Sequence, residues 1–245
     1  MVIIGFTSLI IVSNNWNDTQ IVNKIEVNGN SYINNNSIKN LINKIVIGKK
    51  THKIDLLKIE KIVNSYSYVE YSYITFKDNE TIEVSIKERK PLAFVKAENG
   101  NLKYIDKYGV LMDNIPINNF SDLPIVYGYN FELEPKAVDN KKDNISEENQ
   151  KKKQIFVNKL SALLNGLYEY EFVYNIISEI EFNNEEQTFS FYTSDRNLKI
   201  LFGRLDNIDL KCQKMIVFWK EWIVKNNTDN LKHLDLRWKD KVVLL

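Results

Sequence analysis

An ordered series of hydrophobic patterns between Ile21 and Arg89 constrains the fold more than any other feature of the sequence. It opens with a short strand pattern in which Ile21, Ile25 and Val27 share the buried side. Two stretches with helical spacing follow, then a stretch rich in aromatic and β-branched residues, and then one in which apolar and polar residues alternate. The order strand, helix, helix, strand, strand predicts a small α+β module of a kind that holds partners rather than a catalytic core.

Turn residues and helix ends support this assignment. Asn28-Gly29-Asn30 ends the first strand, because these residues tolerate the positive φ of a tight turn. Gly48 ends the first helix, and Asp55 is a capping residue for the second. The residues predicted to face the sheet are Ile38, Leu41, Ile42 and Ile45 in the first helix and Leu56, Ile59, Ile62, Val63 and Tyr66 in the second. The sheet is completed by strands at Tyr68–Phe76 and Thr81–Lys87.

Short strands dominate the chain after Pro91. Turn signals at Asn99-Gly100 and Tyr108-Gly109 lie between strand patterns at Leu92–Ala97, Leu102–Asp106 and Val110–Met112. A polar, charged stretch from 132 to 153 predicts a surface loop that runs into a helix. The apolar stripe of that helix is Ile155, Leu160, Leu163, Leu164 and Leu167.

The remainder alternates again between strand and helix patterns. Three strands are predicted at Ile176–Phe182, Thr188–Thr193 and Leu198–Phe202. Asp206 is then predicted to cap a long helix whose apolar face is Ile208, Cys212, Met215, Ile216, Trp219, Trp222 and Ile223. In the last strand pair, Leu234, Leu236 and Trp238 alternate with Asp235, Arg237 and Lys239, and Lys241–Leu245 forms the final strand. These patterns predict a mostly antiparallel β domain with flanking helices.

The N-terminal stretch Val2–Val12 is almost continuously apolar but shorter than the roughly 18 to 20 residues that cross a bilayer. It is consistent with part of a membrane anchor, a signal-peptide core or a buried strand. The polar residues that follow favour the partial anchor, because they then form a linker. The predicted organisation is a partial transmembrane anchor and linker at 1–20, a first domain at 21–90 and a second at 91–245.

Composition and motifs argue against several classes of function. The net charge of +1, from 33 basic and 32 acidic residues, indicates no nucleic-acid surface. Cys212 is the only cysteine and is interpreted as a buried thiol, and His52 and His233 are the only histidines. There is no phosphate-binding GxxxxGK and no nucleophile-elbow GxSxG. The sequence therefore predicts no enzyme activity and no catalytic, cofactor or metal site.

Several segments together resemble a known family. IEVNGN, the helix led by Asp55, Val69 before a strand and TIEVSIKERKPLAF resemble the polypeptide-transport-associated (POTRA) module of the FtsQ (DivIB) family of bacterial division proteins. In the second half, YIDKYGVLM, LPIV with Gly128, FGRLDNIDLKCQKM and HLDLRWKDKVVLL resemble later landmarks of that family in the same order. The expected fold is two-domain α+β, a β-α-α-β-β POTRA module followed by the family's β domain.

The resemblance implies a non-enzymatic, single-pass protein of the cytoplasmic membrane whose soluble body lies on the periplasmic (extracytoplasmic) side. Such a protein couples early and late septum assembly by binding the division proteins FtsB and FtsL, and its POTRA module contacts other division proteins. Independently of the family, a terminal strand leaves backbone N–H and C=O groups that can pair with a partner's strand. The positions that match the family's partner surface are Arg204, Trp238, Lys241, Val242, Val243, Leu244 and Leu245.

Three alternatives stay open at this level. Trp238 could pack in the core instead of facing a partner. The POTRA pattern also occurs in outer-membrane assembly and secretion factors, which continue into a membrane barrel. A secreted hydrolase would be supported by an acidic pair in a cleft.

Overall fold

The computed structural model describes residues 20–96, 100–114, 120, 122–129, 147–196, 198–223 and 231–244. The described chain contains helices and two β-sheets, so the α+β class predicted from the sequence is confirmed. By its internal contacts the chain divides into two compact units, unit 1 up to Arg89 and unit 2 from Lys90. Each unit has its own sheet.

Unit 1 follows the order strand, helix, helix, strand, strand. Its elements are β1 (Lys24–Asn28), α1 (Asn35–Val46), a 3₁₀ turn (Thr51–Lys53), α2 (Leu56–Asn64), β2 (Val69–Phe76) and β3 (Thr81–Glu88). β3 is the central strand, paired in parallel with β1 and antiparallel with β2. The return from β1 to a parallel neighbour needs a crossover, and α1 and α2 provide it.

The two helices of unit 1 begin at side-chain caps and bury one stripe each. Asp55 accepts a hydrogen bond from the Lys58 backbone N–H at 3.1 Å, so the predicted cap of α2 is confirmed. The buried helix residues are Ile38, Ile42, Val46, Ile59 and Val63. The prediction was wrong for Leu41, which is exposed, and for Ile21, which lies outside β1 and is exposed while Val22 is buried.

Glu88, the last residue of β3, fixes the loop between β1 and α1. Its carboxylate accepts hydrogen bonds from the backbone N–H groups of Ser31, Tyr32 and Ile33, at 2.8, 3.1 and 2.7 Å. Three donors on one carboxylate satisfy backbone groups that no strand or helix pairs. Glu88 therefore ties the turn after β1 to the end of the central strand.

Unit 2 contains nine strands and three helices among the residues that the structure describes. They are β4 (Pro91–Lys96), β5 (Leu102–Asp106), β6 (Leu111–Asp113), β7 (Ile125–Tyr127), α3 (Glu147–Tyr168), α4 (Glu171–Ile176), β8 (Ile177–Asn183), β9 (Thr188–Thr193), β10 (Lys199–Gly203), α5 (Ile208–Phe218), β11 (His233–Asp235) and β12 (Val243–Leu244). A π-helical turn, Trp219–Ile223, continues α5. The sequence patterns did not predict α4, which is only six residues long and lacks a side-chain cap.

One sheet of order β12-β11-β10-β9-β8-β7-β4-β5-β6 organises unit 2. Most neighbours are antiparallel, but β4–β7, β7–β8 and β10–β11 are parallel pairs. Helices lie in two of the connections that these parallel pairs need: α3 and α4 between β7 and β8, and α5 between β10 and β11. The sheet is therefore mixed rather than a simple series of hairpins.

The core of unit 2 lies between this sheet and the helices. Leu160, Leu163, Leu164 and Leu167 of α3 are fully buried, as their spacing predicts, whereas Ile155 is exposed. Aromatic rings join α3 to the sheet, with the ring centroids of Phe156 on α3 and Phe182 on β8 5.1 Å apart. Cys212 is buried in the same core, so the interpretation of a buried thiol is confirmed. Burial raises the pKa of this thiol to about 12.

The predicted anchor, Val2–Val12, lies outside the described residues. Among the helices that the structure does describe, none has both the length and the hydrophobicity needed to cross a bilayer.

Candidate partner-binding edge

The C-terminal strand β12 lies at one end of the nine-stranded sheet. It pairs antiparallel with β11, Leu244 opposite Leu234 and Val243 opposite Asp235. Val243 is half-buried and Leu244 is exposed. Of the predicted strand Lys241–Leu245, only Val243 and Leu244 have strand geometry, and Leu245 lies outside the described residues. β12 is thus a short edge strand, and within the described residues no strand pairs with its outer side.

An ion pair between the buried Asp235 and the half-exposed Arg237 shapes the chain where β11 ends. Arg237 donates from Nε and Nη2 to the two carboxylate oxygens of Asp235, at 2.9 and 2.8 Å, and its backbone N–H donates to the same carboxylate at 3.0 Å. The Asp235 side chain is 4% exposed and that of Arg237 is 52% exposed. These hydrogen bonds from Arg237 lower the pKa of Asp235, and the same pair raises the pKa of Arg237.

The buried position of Asp235 corrects the alternation predicted for this strand. Leu234, Asp235 and Leu236 are all buried, so residues on both faces of β11 are covered. The strand also ends at Asp235 instead of continuing to Lys239. A two-residue spacing of opposite charges, Asp235 and Arg237, was the sequence signal for the ion pair, because side chains two apart in extended chain lie on one side.

Gly203 allows Arg237 to lie across the end of β10. Gly203 has a φ of +81°, and a Cβ atom there would be 2.8 Å from the Cγ atom of Arg237. Only glycine meets both demands without strain. Leu236 extends the contact, since its backbone N–H donates to the carbonyl of Leu201 at 3.1 Å. The segment after β11 is therefore held against β10.

Trp238 is a surface residue, with 52% of its area exposed. The alternative that it packs in the core is wrong. Lys241 lies over its ring, with Nζ 4.6 Å from the centroid, and Lys214 of α5 donates to the carbonyls of Trp238 and Lys239 at 2.6 Å each. These backbone contacts hold the residue that carries the indole, while the indole itself remains accessible to a partner.

Arg204 lies at the entrance to α5 and is exposed. Its carbonyl accepts a hydrogen bond from Nζ of the buried Lys211 at 2.7 Å, and the same Nζ donates to Asp206 at 3.1 Å. The predicted cap was wrong: α5 begins at Ile208, and the cap position is Asn207, which has a φ of 51° and makes no side-chain cap. Asp206 is instead the counter-ion of Lys211, which fixes the loop that presents Arg204.

A shallow polar cavity of about 200 Å³ lies beside Arg237 on the sheet. Glu181 and Lys199, which form an ion pair at 2.8 Å, lie in its wall together with Glu186 and Ser190. Its wall therefore carries a carboxylate from β8 and an ammonium group from β10, the strand next to β11. Within the described residues, no group of three or more His, Cys, Asp or Glu side chains is placed to hold a metal ion.

The structure brings most of the predicted partner residues into one region. Trp238, Lys241, Val242, Val243 and Leu244 follow one another along the end of the chain. Arg204 is connected to them through α5 and β10, because Lys214 contacts the carbonyl of Trp238 and Gly203 contacts Arg237. Sequence reasoning missed Gly203, Asp235 and Lys214 as the residues that position this edge.

Comparison with known proteins agrees with the resemblance drawn from the sequence. A family model described as FtsQ/DivIB, C-terminal related, matches residues 90–244, well over half of the 245 residues. The match begins where unit 2 begins and includes β12. No curated protein matches the chain in a direct comparison.

Proposed function

Because this chain belongs to the FtsQ/DivIB family, whose members are non-enzymatic, membrane-anchored division proteins, we propose that it is a division scaffold that binds partners through the β12 edge. The partners are division proteins of the FtsB and FtsL type, bound outside the cytoplasmic membrane. By holding them, the scaffold couples the early and late stages of septum assembly.

The observation that carries this proposal is the exposed end of the sheet at β12. An edge strand offers a row of backbone donors and acceptors, and an extended partner segment gains main-chain hydrogen bonds by joining it. Val243 and Leu244 supply the edge, and Trp238 supplies an exposed aromatic anchor next to it. Arg204 and Lys241 add exposed positive charge, which favours a partner segment with acidic residues.

Unit 1 supports the proposal in a second way. Its element order, β-α-α-β-β, is the order expected of a POTRA module. We propose that it acts as the POTRA domain and contacts other division proteins. The same order is expected in outer-membrane assembly and secretion factors, but the family match over unit 2 favours division.

Binding of the soluble part of FtsB to purified protein tests the proposal. Trp238→Ala removes the exposed anchor, and Val243→Glu places a charge on the edge strand. Each variant should weaken binding at least about tenfold, which corresponds to about 1.4 kcal/mol. Thermal melts by circular dichroism should stay close to that of the unsubstituted protein, especially for Trp238→Ala, because that side chain is half exposed.

Leu111→Glu is the matched control. Leu111 is a half-buried residue of β6, the edge strand at the opposite end of the same sheet. The Leu111→Glu variant should bind FtsB with the same affinity as the unsubstituted protein. If Trp238→Ala and Val243→Glu also bind FtsB with unchanged affinity, the β12 edge is not the binding site.

A further inference from the structure

β2 of unit 1 is a second edge strand and a much longer one. It runs for eight residues, Val69–Phe76, and pairs with β3 along one side. It is the last strand in the order β1-β3-β2, and within the described part of the chain no strand pairs with its other side. The outer N–H and C=O groups of a strand this long form a template for another strand.

The two faces of β2 differ sharply. Ser72 and Ile74 are buried on the helix side, where Ser72 donates a hydrogen bond to Asn64 of α2 at 2.9 Å. Tyr71 and Tyr73 lie on the other face, 42% and 65% exposed, with their rings in edge contact at a centroid distance of 5.6 Å. The strand therefore presents aromatic side chains beside an unpaired edge.

Most of β2 lacks the devices that usually protect an edge strand. It contains no proline and no lysine, and its only charged residue is Glu70. Glu70 lies at a bulge near the start of the strand, and its carboxylate is 3.7 Å from Nζ of Lys87 on β3. The regular part, 71–76, is uncharged, so two such strands can approach without electrostatic repulsion.

We propose that β2 pairs with β2 of a second copy of this chain, antiparallel and about a two-fold axis at Tyr73. Antiparallel pairing must keep the buried residues of both strands on one face. Even-numbered residues of one strand must therefore lie opposite even-numbered residues of the other, and odd opposite odd. A centre at Tyr73 places Tyr73 opposite Tyr73, Tyr71 opposite Thr75 and Ser72 opposite Ile74. These three pairs fall in the regular part of the strand, whereas Phe76 lies opposite Glu70 at the bulge.

Self-pairing fits this strand better than a foreign strand does. A charged partner would find no complementary charge along 71–76, whereas the Tyr73-centred register sets aromatic and β-branched residues opposite one another, which are favourable cross-strand pairs. The axis is perpendicular to the sheet, so the helices of both copies lie on the same face of one continuous sheet. An interface built on one strand is at the small end, below about 1,200 Å², and predicts a weak dimer.

Sedimentation of the full chain over a range of concentrations tests the pairing. The protein should pass from monomer to dimer as its concentration rises, and Tyr73→Lys should abolish the dimer, because it sets two lysines opposite each other at the axis. Tyr108→Lys is the control, since Tyr108 is a comparably exposed tyrosine, 58%, in unit 2. It should leave the dimer intact.

Cysteine crosslinking tests the register. Tyr73→Cys should form a disulfide-linked dimer under mild oxidation, while Tyr108→Cys should not, and the buried Cys212 does not compete. A mixture of Tyr71→Cys and Thr75→Cys chains should give a higher yield of crosslinked dimer than either variant gives by itself. A monomer at every concentration, or equal crosslinking of Tyr73→Cys and Tyr108→Cys, overturns the proposal and leaves the edge to a strand of another protein.

Discussion

The aspartate at the end of β11 shows how one side chain sets the geometry of the candidate edge. Asp235 is buried and accepts three hydrogen bonds from Arg237, including one from its backbone N–H. A buried carboxylate needs such partners, because an unpaired one loses its hydration without compensation. The pair fixes the chain just before Trp238, the proposed anchor.

We predict that Asp235→Asn lowers the free energy of unfolding at neutral pH by about 1.5 to 3 kcal/mol, the usual value of hydrogen bonds to charged groups. The pKa of Asp235 in the folded protein lies below its ordinary value of 3.8. Its contribution is therefore complete above that value and is lost as the pH falls from about 3.8 through the lowered pKa. Urea unfolding of the Asp235→Asn variant and of the unsubstituted protein between pH 7 and pH 3 measures how their difference in stability changes with pH.

Asp113→Asn is the matched control for this experiment. Asp113 pairs with Lys103 at 2.8 Å, but its side chain is 81% exposed, and exposed ion pairs contribute about 0 to 1 kcal/mol. It should unfold close to the unsubstituted protein. A stability difference between Asp235→Asn and the unsubstituted protein that stays constant down to pH 3 would contradict the role given to the carboxylate charge.

At the scale of elements, the close approach of α3 and α5 shapes the core of unit 2. Gly166 lies in α3, and a Cβ atom there would be 2.7 Å from Cγ2 of Ile208, the first residue of α5. Glycine costs a helix about 1 kcal/mol relative to alanine, so its presence is explained by packing rather than by helix propensity. The start of α5, and with it the loop that presents Arg204, is held against α3.

We predict that Gly166→Ala destabilises the protein although alanine favours a helix. Overpacking costs about 1 to 3 kcal/mol and exceeds the gain of about 1 kcal/mol in propensity. Ile208→Ala removes the Cγ2 methyl group that the new Cβ atom would contact. The double variant should therefore lose less stability than the sum of the losses in the two single variants. Urea unfolding of the four proteins measures the coupling. A more stable Gly166→Ala single variant would show that the helices separate at no cost.

At the scale of the whole molecule, each unit buries its own hydrophobic residues. The buried cluster of unit 2 draws on its sheet and its three helices, from Leu92 to Leu236. In unit 1, Ile38 and Ile42 of α1 and Ile59 and Val63 of α2 are buried, as are Ile82 and Val84 of the central strand β3. A separate core is the physical condition for independent folding.

We predict that a fragment of residues 90–245 folds alone. Trp219, Trp222 and Trp238 all lie in unit 2, and Trp219 is buried, so tryptophan fluorescence reports the state of this unit. The fragment should unfold in urea in one cooperative transition with a shift of emission to longer wavelength. A gradual, uncooperative change would mean that unit 2 requires unit 1. The fragment 20–89, which contains no tryptophan, is followed by circular dichroism.

The sequence alone determined the type and order of most elements, because these depend on neighbours a few residues apart. Asp55 capped a helix, Ile82, Val84 and Ile86 alternated into the buried face of β3, and the leucines of α3 formed one stripe. The order β-α-α-β-β and the family resemblance followed from the same local patterns. The short α4 was missed because six residues are too few to establish a helical period.

Only the tertiary structure decided which strands are neighbours and which polar groups are buried. The position of β7 between β4 and β8, the place of β12 at the end of the sheet and the contact of Lys214 with Trp238 join residues far apart in the chain. Alternation placed Asp235 on an open face, but the residues on both faces of β11 are covered, and Arg237 provides the charge that allows the burial. Such pairings depend on packing between distant segments, which no local period encodes.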